Sequence, residues 1–465
     1  MPLGPLRDQL IDIEVTEHDV ARGRAMRKTA PRSTLAQLVP SERSAVDILV
    51  EQNRHRLPDL VPLRFARMLT DPFSFYRGTA AVMAADLAAS PSSGATVLCS
   101  GDAHLSNFGI YAAPDRTLVF DLNDFDEAAT APAEWDVKRL ITSAIIGGRH
   151  EGHDEKVIGG YADAAVRAYY DALTAMLDMT VLDRYYLRLD PTRYGKRHRG
   201  ALSEVIRQTT RKARKRTSAR VYERIMAPDT DGLLRLREDP PVLTHVDTTS
   251  EAAIVKPVAQ YLLGVPADVA VLLSHFQITD LARRVVGVGS VGTRCYLVIL
   301  TGPDNTPLIL QVKEANRSVL EQYGGVPQPP PARLAVGARG HGLRVIDGQR
   351  VLQAASDVFL GSFRAHGRDY YVRQFHDMKG TIETEGMSPA AFGQYVTACA
   401  QALARAHAQS VNASLLHGYA GNGSKVSAAI LEWSYRYAEK SLDDFHHLQA
   451  AAKAGDIEVA DDPAR

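Results

Sequence analysis

The sequence predicts an α+β fold in two lobes whose parts follow one another in an unusual order. Three observations carry that prediction. A polar loop, Gly101-Asp102-Ala103-His104-Leu105-Ser106-Asn107, lies between apolar runs near residue 100. A glycine-rich turn, Gly287-Val288-Gly289-Ser290-Val291-Gly292, lies between two strand-like runs near residue 290. Stretches with helical apolar spacing flank both.

Residues 1–40 are mixed in character and contain proline, which reads as an irregular arm. Residues 41–250 read as a mainly helical part carrying the polar loop, with a helical pattern over 73–89 directly before it. Asp102 stands two residues before His104 and five before Asn107. The strand-like run Leu118-Val119-Phe120 then delivers Asp121, Asp124, Asp126 and Glu127. Phosphoryl transfer from ATP needs such a set. One carboxylate orients or deprotonates the accepting hydroxyl, while an Asn and a further Asp hold magnesium, which prefers oxygen ligands. Asp102, with His104 beside it, suits the first role, and Asn107 suits the metal. Asp121 and Asp124 both qualify as the second metal ligand. Asp121 follows the strand directly at the better distance from Asn107. Asp124 is better spaced from Asp136 and opens the pair Asp124-Phe125.

Trp135-Asp136 could brace the polar loop by accepting its backbone N–H groups, although Glu134 and Asp136 also suit a helix first turn. Arg77 could pair with Asp86 or meet a phosphate. Residues 193–224 are rich in Arg193, Lys196, Arg197, Arg199, Arg211, Lys212, Arg214, Lys215 and Arg216, which reads as a solvated helix face or an anion-binding surface. Residues 225–250, with Pro228, Pro240 and Pro241, read as a loop or linker.

Residues 270–380 read as a β-rich nucleotide-binding part. A Rossmann fingerprint opens a helix, but here Thr293 to Leu300 is rich in strand formers. A turn at Gly302-Pro303-Asp304-Asn305 and a run from Leu308 to Lys313 follow. In this layout Gly287, Gly289, Ser290 and Gly292 let backbone close over phosphates, and Lys313 pairs with them. Residues 324–342 read as a proline-rich surface loop, and 343–357 as a helix. Asp347 on that helix is the natural partner for Lys313, with Glu314 and Glu321 as rivals. Two strands span Phe359 to Arg373, and Gln374 to Gly380 would be a hinge whose backbone could meet an adenine. Ala391 to Ala408 reads as a strong helix. Residues 385–450 complete the helical lobe and 451–465 form a tail. A protein-kinase-like chain ordinarily places its glycine-rich loop before its catalytic loop. The reversed order here predicts a circularly permuted protein-kinase-like fold, which closely spaced termini make tolerable.

The Asp102–Asn107 loop resembles the D-x-H-x-x-N loop of aminoglycoside and choline kinases, with Ser100 at the position where those enzymes carry His. Residues 40–450 as a whole resemble the bacterial family known as domain of unknown function 2252. That resemblance rests on Phe75-Tyr76-Arg77-Gly78, Gly101-Asp102-Ala103-His104, Phe120 to Glu127, Glu134 to Arg139, Gln311-Val312-Lys313-Glu314-Ala315 and Arg373-Gln374. It implies similarity to the protein-kinase-like superfamily and supplies no substrate.

The chain has 465 residues, enough for a large core. A formal net charge of zero argues against bulk attraction to nucleic acid or membrane. Cys99, Cys295 and Cys399 show neither metal-ligand spacing nor a disulfide framework. The N-terminal residues lack an apolar signal core, and no run reaches the roughly 18 apolar residues of a membrane helix, so a cytoplasmic location is expected. The function expected from these residues is an ATP- and Mg²⁺-dependent phosphotransferase acting on a hydroxyl of a small-molecule acceptor. A nucleotide-binding pseudokinase and an AMP transferase are the alternatives, and oligomeric state is left open.

Overall fold

The computed structural model describes residues 15–193, 200–228, 234–246, 257–285, 287–375 and 378–461. It is a mixed α+β structure with antiparallel sheets. The helical part is built around the Ala133–His150 helix, whose residues 133–148 are all buried. The long Ser424–Ala454 helix and the Glu155–Leu177 helix pack on it, and Pro389–His407 lies against Glu155–Leu177. Helix starts follow local chemistry. Asp71 accepts the N–H of Ser74 ahead of Pro72, and Ser388 accepts that of Ala391 ahead of Pro389.

Four short strands sit in this part: β1 (Thr96–Cys99), β2 (Phe108–Ala112), β3 (Leu118–Leu122) and β4 (Ala129–Pro132). β1 pairs with β4, and β2 pairs with β3 and with the two-residue β13 (Gly380–Thr381). The polar loop therefore joins two different small sheets. The 73–89 stretch forms two helices, Pro72–Arg77 and Ala80–Ala89.

The β-rich part is one six-stranded antiparallel sheet in the order β11-β12-β10-β9-β8-β7. Its strands are β7 (Leu243–His245), β8 (Gln277–Arg284), β9 (Cys295–Thr301), β10 (Pro307–Glu314), β11 (Gly361–Ala365) and β12 (Arg368–Gln374). The unbroken apolar run of β9 is explained by burial on both faces. Tyr296, Val298 and Leu300 pack with Phe363 and Tyr370 on one side, while Leu297 and Ile299 pack with Val221 and Phe375 on the other. β8, the glycine-rich turn, β9 and β10 with Lys313 form the hairpin layout expected from the sequence.

Three expectations need correction. Residues 15–26 are not an irregular arm but a helix, Val15–Met26, docked on Ala413–Ala420. Residues 225–250 are not only a linker: β5 (Met226–Pro228) pairs with β6 (Leu234–Leu236), and β7 joins the large sheet. Inside 324–342, Pro330–Arg339 is helical, with prolines in its first turn where their missing N–H costs nothing. The basic stretch contains the helix Ala201–Lys215, while Lys196, Arg197 and Arg199 lie outside the described residues. Among the described residues no helix is long and apolar enough to cross a membrane.

Candidate active site

The polar loop leaves β1 through Gly101, which has φ +81° and whose missing Cβ would stand 2.3 Å from the Glu127 carbonyl oxygen. Only glycine satisfies both demands. Asp136 accepts the N–H groups of Ser100 (2.7 Å) and Gly101 (3.0 Å), the bracing role its position suggested. Its carboxylate also meets His407 Nε2 at 3.2 Å, and His407 Nδ1 meets the Tyr169 hydroxyl at 2.7 Å. Cys99, Asp136 and His407 are close enough to suggest a metal cluster. Asp136 already has three partners and the Cys99 thiol lies against backbone carbonyls, so the cluster reads as loop support. Further along, Leu105 donates to Ser143 Oγ, and the Tyr395 hydroxyl donates to the Leu105 carbonyl. The loop is thus fixed from two helices, Ala133–His150 and Pro389–His407.

On this rigid loop, Asp102 Oδ1 accepts from Arg139 Nε at 2.9 Å and forms an ion pair with Nη2 at the same distance. The guanidinium lies 4.0 Å over the Tyr76 ring and donates to the Tyr76 carbonyl. The Asp102 side chain stays 21% exposed. Burial pushes its carboxyl up to about 6, against the pull of Arg139 and with help from the nearby Asp124 charge. His104 Nε2 lies 3.6 Å from Asp102 Oδ2, too far for a hydrogen bond. Burial, then the Arg139 and Arg77 charges, hold the His104 imidazole well below its usual range, so it is neutral at pH 7. Asn107 Nδ2 donates to the Asp102 carbonyl at 2.8 Å, and the Asn107 carbonyl accepts from Asn123, tying the loop to the acidic run.

That run separates its two metal candidates. Asp121 on β3 is 1% exposed, accepts from the N–H groups of Leu122 and Ala354, and lies 3.9 Å from Arg405. It faces no cavity. Asp124 faces the cleft and, among the described residues, has the Asp126 N–H as its one close donor. Lys313 Nζ contacts the Asp126 carboxylate and Ser290 Oγ (2.8 Å). Burial alone would lower the Lys313 ammonium, but Asp126 holds it raised, and Lys313 in turn holds Asp126 below its usual range. Tyr371 donates a second bond to Asp126. The expected Lys313 partners are therefore replaced. Asp347 is on the exposed face of its helix, Glu314 pairs with Arg294 and Arg368, and Glu321 pairs with Arg317. That same helix contributes Arg344 instead, which donates to the carbonyls of Asp126, Ala128 and Asn316.

The cleft between the large sheet and the helical part holds two cavities, of 420 and 170 Å³, sharing Asp124, Gly287 and Ser290 in their walls. The larger includes Lys313, Arg373, Gln374 and Lys379. Burial, then Arg373, pulls the Lys379 ammonium down to about 7. The Gln374 N–H is already taken by the Asp357 carboxylate, so it is not free to meet an adenine. His376 and Asp377 of the expected hinge lie outside the described residues. The smaller cavity brings Asp102, His104 and Asn107 together with Gly289. Gly292 belongs to the same hairpin but packs on Arg56, and its carbonyl accepts the Leu57 N–H.

Sequence reading missed Lys379, Arg56 and the Asp126 partner of Lys313. No spacing rule finds a pair separated by 187 positions. Asp126 was visible as one acid among four.

Fold and site together define an α+β protein with an acid- and glycine-lined cleft between a six-stranded sheet and a helical body. The chain belongs to the family described as "Uncharacterized protein conserved in bacteria (DUF2252)", whose profile matches residues 56–451. No curated protein and no solved structure matches it.

Proposed function

We propose that the protein transfers a phosphoryl group from Mg-ATP to a hydroxyl of a small acceptor, on a protein-kinase-like frame with its two lobes in permuted order. One observation carries this reading. The Asp102–Asn107 loop and the Gly287–Gly292 hairpin, far apart in sequence, line one cavity with Asp124 between them.

Asp102 would accept the hydroxyl proton and orient its oxygen. Arg139 keeps that carboxylate from rotating and tempers its basicity. The hairpin backbone and Lys313 would hold the phosphates, with Lys313 turning from Asp126 toward them. Asp124 and the Asn107 side-chain oxygen fit a hard cation. Among the described residues Asp124 and Glu127 are the carboxylates of the smaller cavity without an ion pair; Glu127 is used by the Val319 N–H, Asp124 accepts from the Asp126 N–H, and the Asn107 amide nitrogen is already used on the Asp102 carbonyl. Magnesium bound there would neutralise charge on the phosphates.

Mg-ATP should raise the melting temperature. A ligand at a hundredfold excess over Kd stabilises the folded state by about 2.7 kcal/mol. Lys313→Ala should blunt that shift. Absence of both a shift and calorimetric binding at millimolar Mg-ATP would overturn the reading. Mass measurement of a modified acceptor separates phosphoryl from AMP transfer.

A further inference from the structure

The wall of the smaller cavity near Asp102 is cationic. Arg56, Arg64 and Arg77 reach it from the helical part. Arg64 is engaged by Asn53, Gln52 and the Gly78 carbonyl. Arg56 gives one nitrogen to the Val291 carbonyl and leaves Nε buried without a partner. Arg77 makes no hydrogen bond or ion pair with the described residues, and its Nε is likewise buried and unpartnered. Its suggested partner Asp86 is taken by Ser41, Tyr437 and Lys440.

Five acids line this cavity, and among the described residues none forms an ion pair with Arg56 or Arg77. Asp102 belongs to Arg139, Asp126 to Lys313, and Glu314 to Arg294 and Arg368. Glu127 accepts the Val319 N–H and is pushed up to about 7 by burial, which leaves Asp124 as the remaining full negative charge. Burial lowers Arg56 to about 10 and also lowers Arg77, yet both remain cations at neutral pH. Half-buried cations of this kind, each with a buried unpartnered nitrogen, favour a counter-ion. A guanidinium fork matches the paired oxygens of a phosphate. Two arginines without an ion-pair partner, beside an Arg64 bonded only to neutral groups, favour a dianion over a single carboxylate.

We propose that the acceptor carries a phosphate monoester, that Arg56 and Arg77 bind it, and that this places another hydroxyl of the same molecule at Asp102. The acceptor role rests on the function proposed above, while the anion subsite stands without it.

The test is calorimetric titration of the full chain with inorganic phosphate, alone and with a saturating non-hydrolysable Mg-ATP analogue. Phosphate should bind under both conditions with affinities within about twofold, and acetate should bind at least about tenfold more weakly. Arg77→Gln and Arg56→Gln should each weaken phosphate by about tenfold or more, and Arg77→Gln, whose side chain makes no bond to the hairpin, should leave analogue affinity within about twofold. Arg77→Lys, which keeps the charge and loses the fork, should fall between and guards against a misfolded variant. Absence of phosphate binding overturns the subsite. So does displacement of phosphate by the analogue, or an equal loss of analogue affinity in Arg77→Gln, since the arginines would then serve the triphosphate. Arginine-dependent phosphate binding with no analogue binding supports the subsite and removes the phosphotransferase reading.

Discussion

Asp102 is gripped by a stacked arginine inside a rigid loop, and this separates its chemical role from its structural one. Asp102→Asn preserves shape, so folding and nucleotide affinity should survive while turnover falls by about 10²–10⁴-fold. A steady-state assay beside circular dichroism checks this. Unchanged turnover in a folded variant would remove Asp102 from the reaction. Only the carboxylate accepts a proton, so kcat/KM should fall as pH drops through about 6, where burial has pushed this group. Arg139 pulls that value down, and Arg139→Gln should move the acid limb to higher pH. The two aspartates of the acidic run should behave differently. Asp124→Asn should raise the magnesium concentration needed for activity. Asp121→Asn should instead lower the unfolding free energy from denaturant titration by about 1–3 kcal/mol, because its oxygens satisfy buried N–H groups. Sequence spacing exposed Asp102, Asn107 and Lys313 because chemistry ties those residue types to local motifs. It left Asp121 and Asp124 tied, since burial of one and exposure of the other depend on where Ala354 and Arg405 arrive from elsewhere in the chain.

At the scale of elements, legibility followed apolar pattern. β9 and β10, buried on two faces, and Pro389–His407, packed along its length, announce themselves by composition. The Val15–Met26 helix does not, because its docking surface is glycine. A Cβ on Gly23 would stand 2.1 Å from the Leu415 carbonyl oxygen, and one on Gly418 would stand 2.2 Å from that of Val20. Helices touching backbone to backbone leave no apolar stripe to read. Gly→Ala in a helix ordinarily helps by about 1 kcal/mol. Here the clash is with backbone, which cannot swing aside, so Gly418→Ala should cost about 1–3 kcal/mol net. It should also speed proteolytic cleavage within residues 15–30. A rise in melting temperature would show that the two helices can separate freely.

Across the whole molecule, the helical part holds the glycine-rich hairpin from below. Leu57 N–H bonds the Gly292 carbonyl at 2.8 Å and Arg67 bonds that of Gly287 at 2.9 Å. Residues 50–80 thus connect the hairpin to the loop that carries Asp102. A nucleotide filling the cleft should slow backbone hydrogen exchange at 287–294 and at 100–107 together, measured on the intact chain. Protection of one segment without the other would mean that they do not share a ligand. The mixed α+β class was readable because both periodicities are strong. The pairing of distant segments was readable only through the chemistry that the motifs imply.

The contact of Lys313 with Asp126 has a consequence for how tightly anything binds there. An empty cleft of this design is not a vacancy. It already contains a counter-ion, covalently tethered and therefore always at high local concentration. Any phosphate ligand has to displace it, so measured affinity reports a competition between two anions. Under the proposed function, the protein would hold weakly a molecule that its lysine, glycines and arginines would otherwise grip hard, and a weak grip would let products leave.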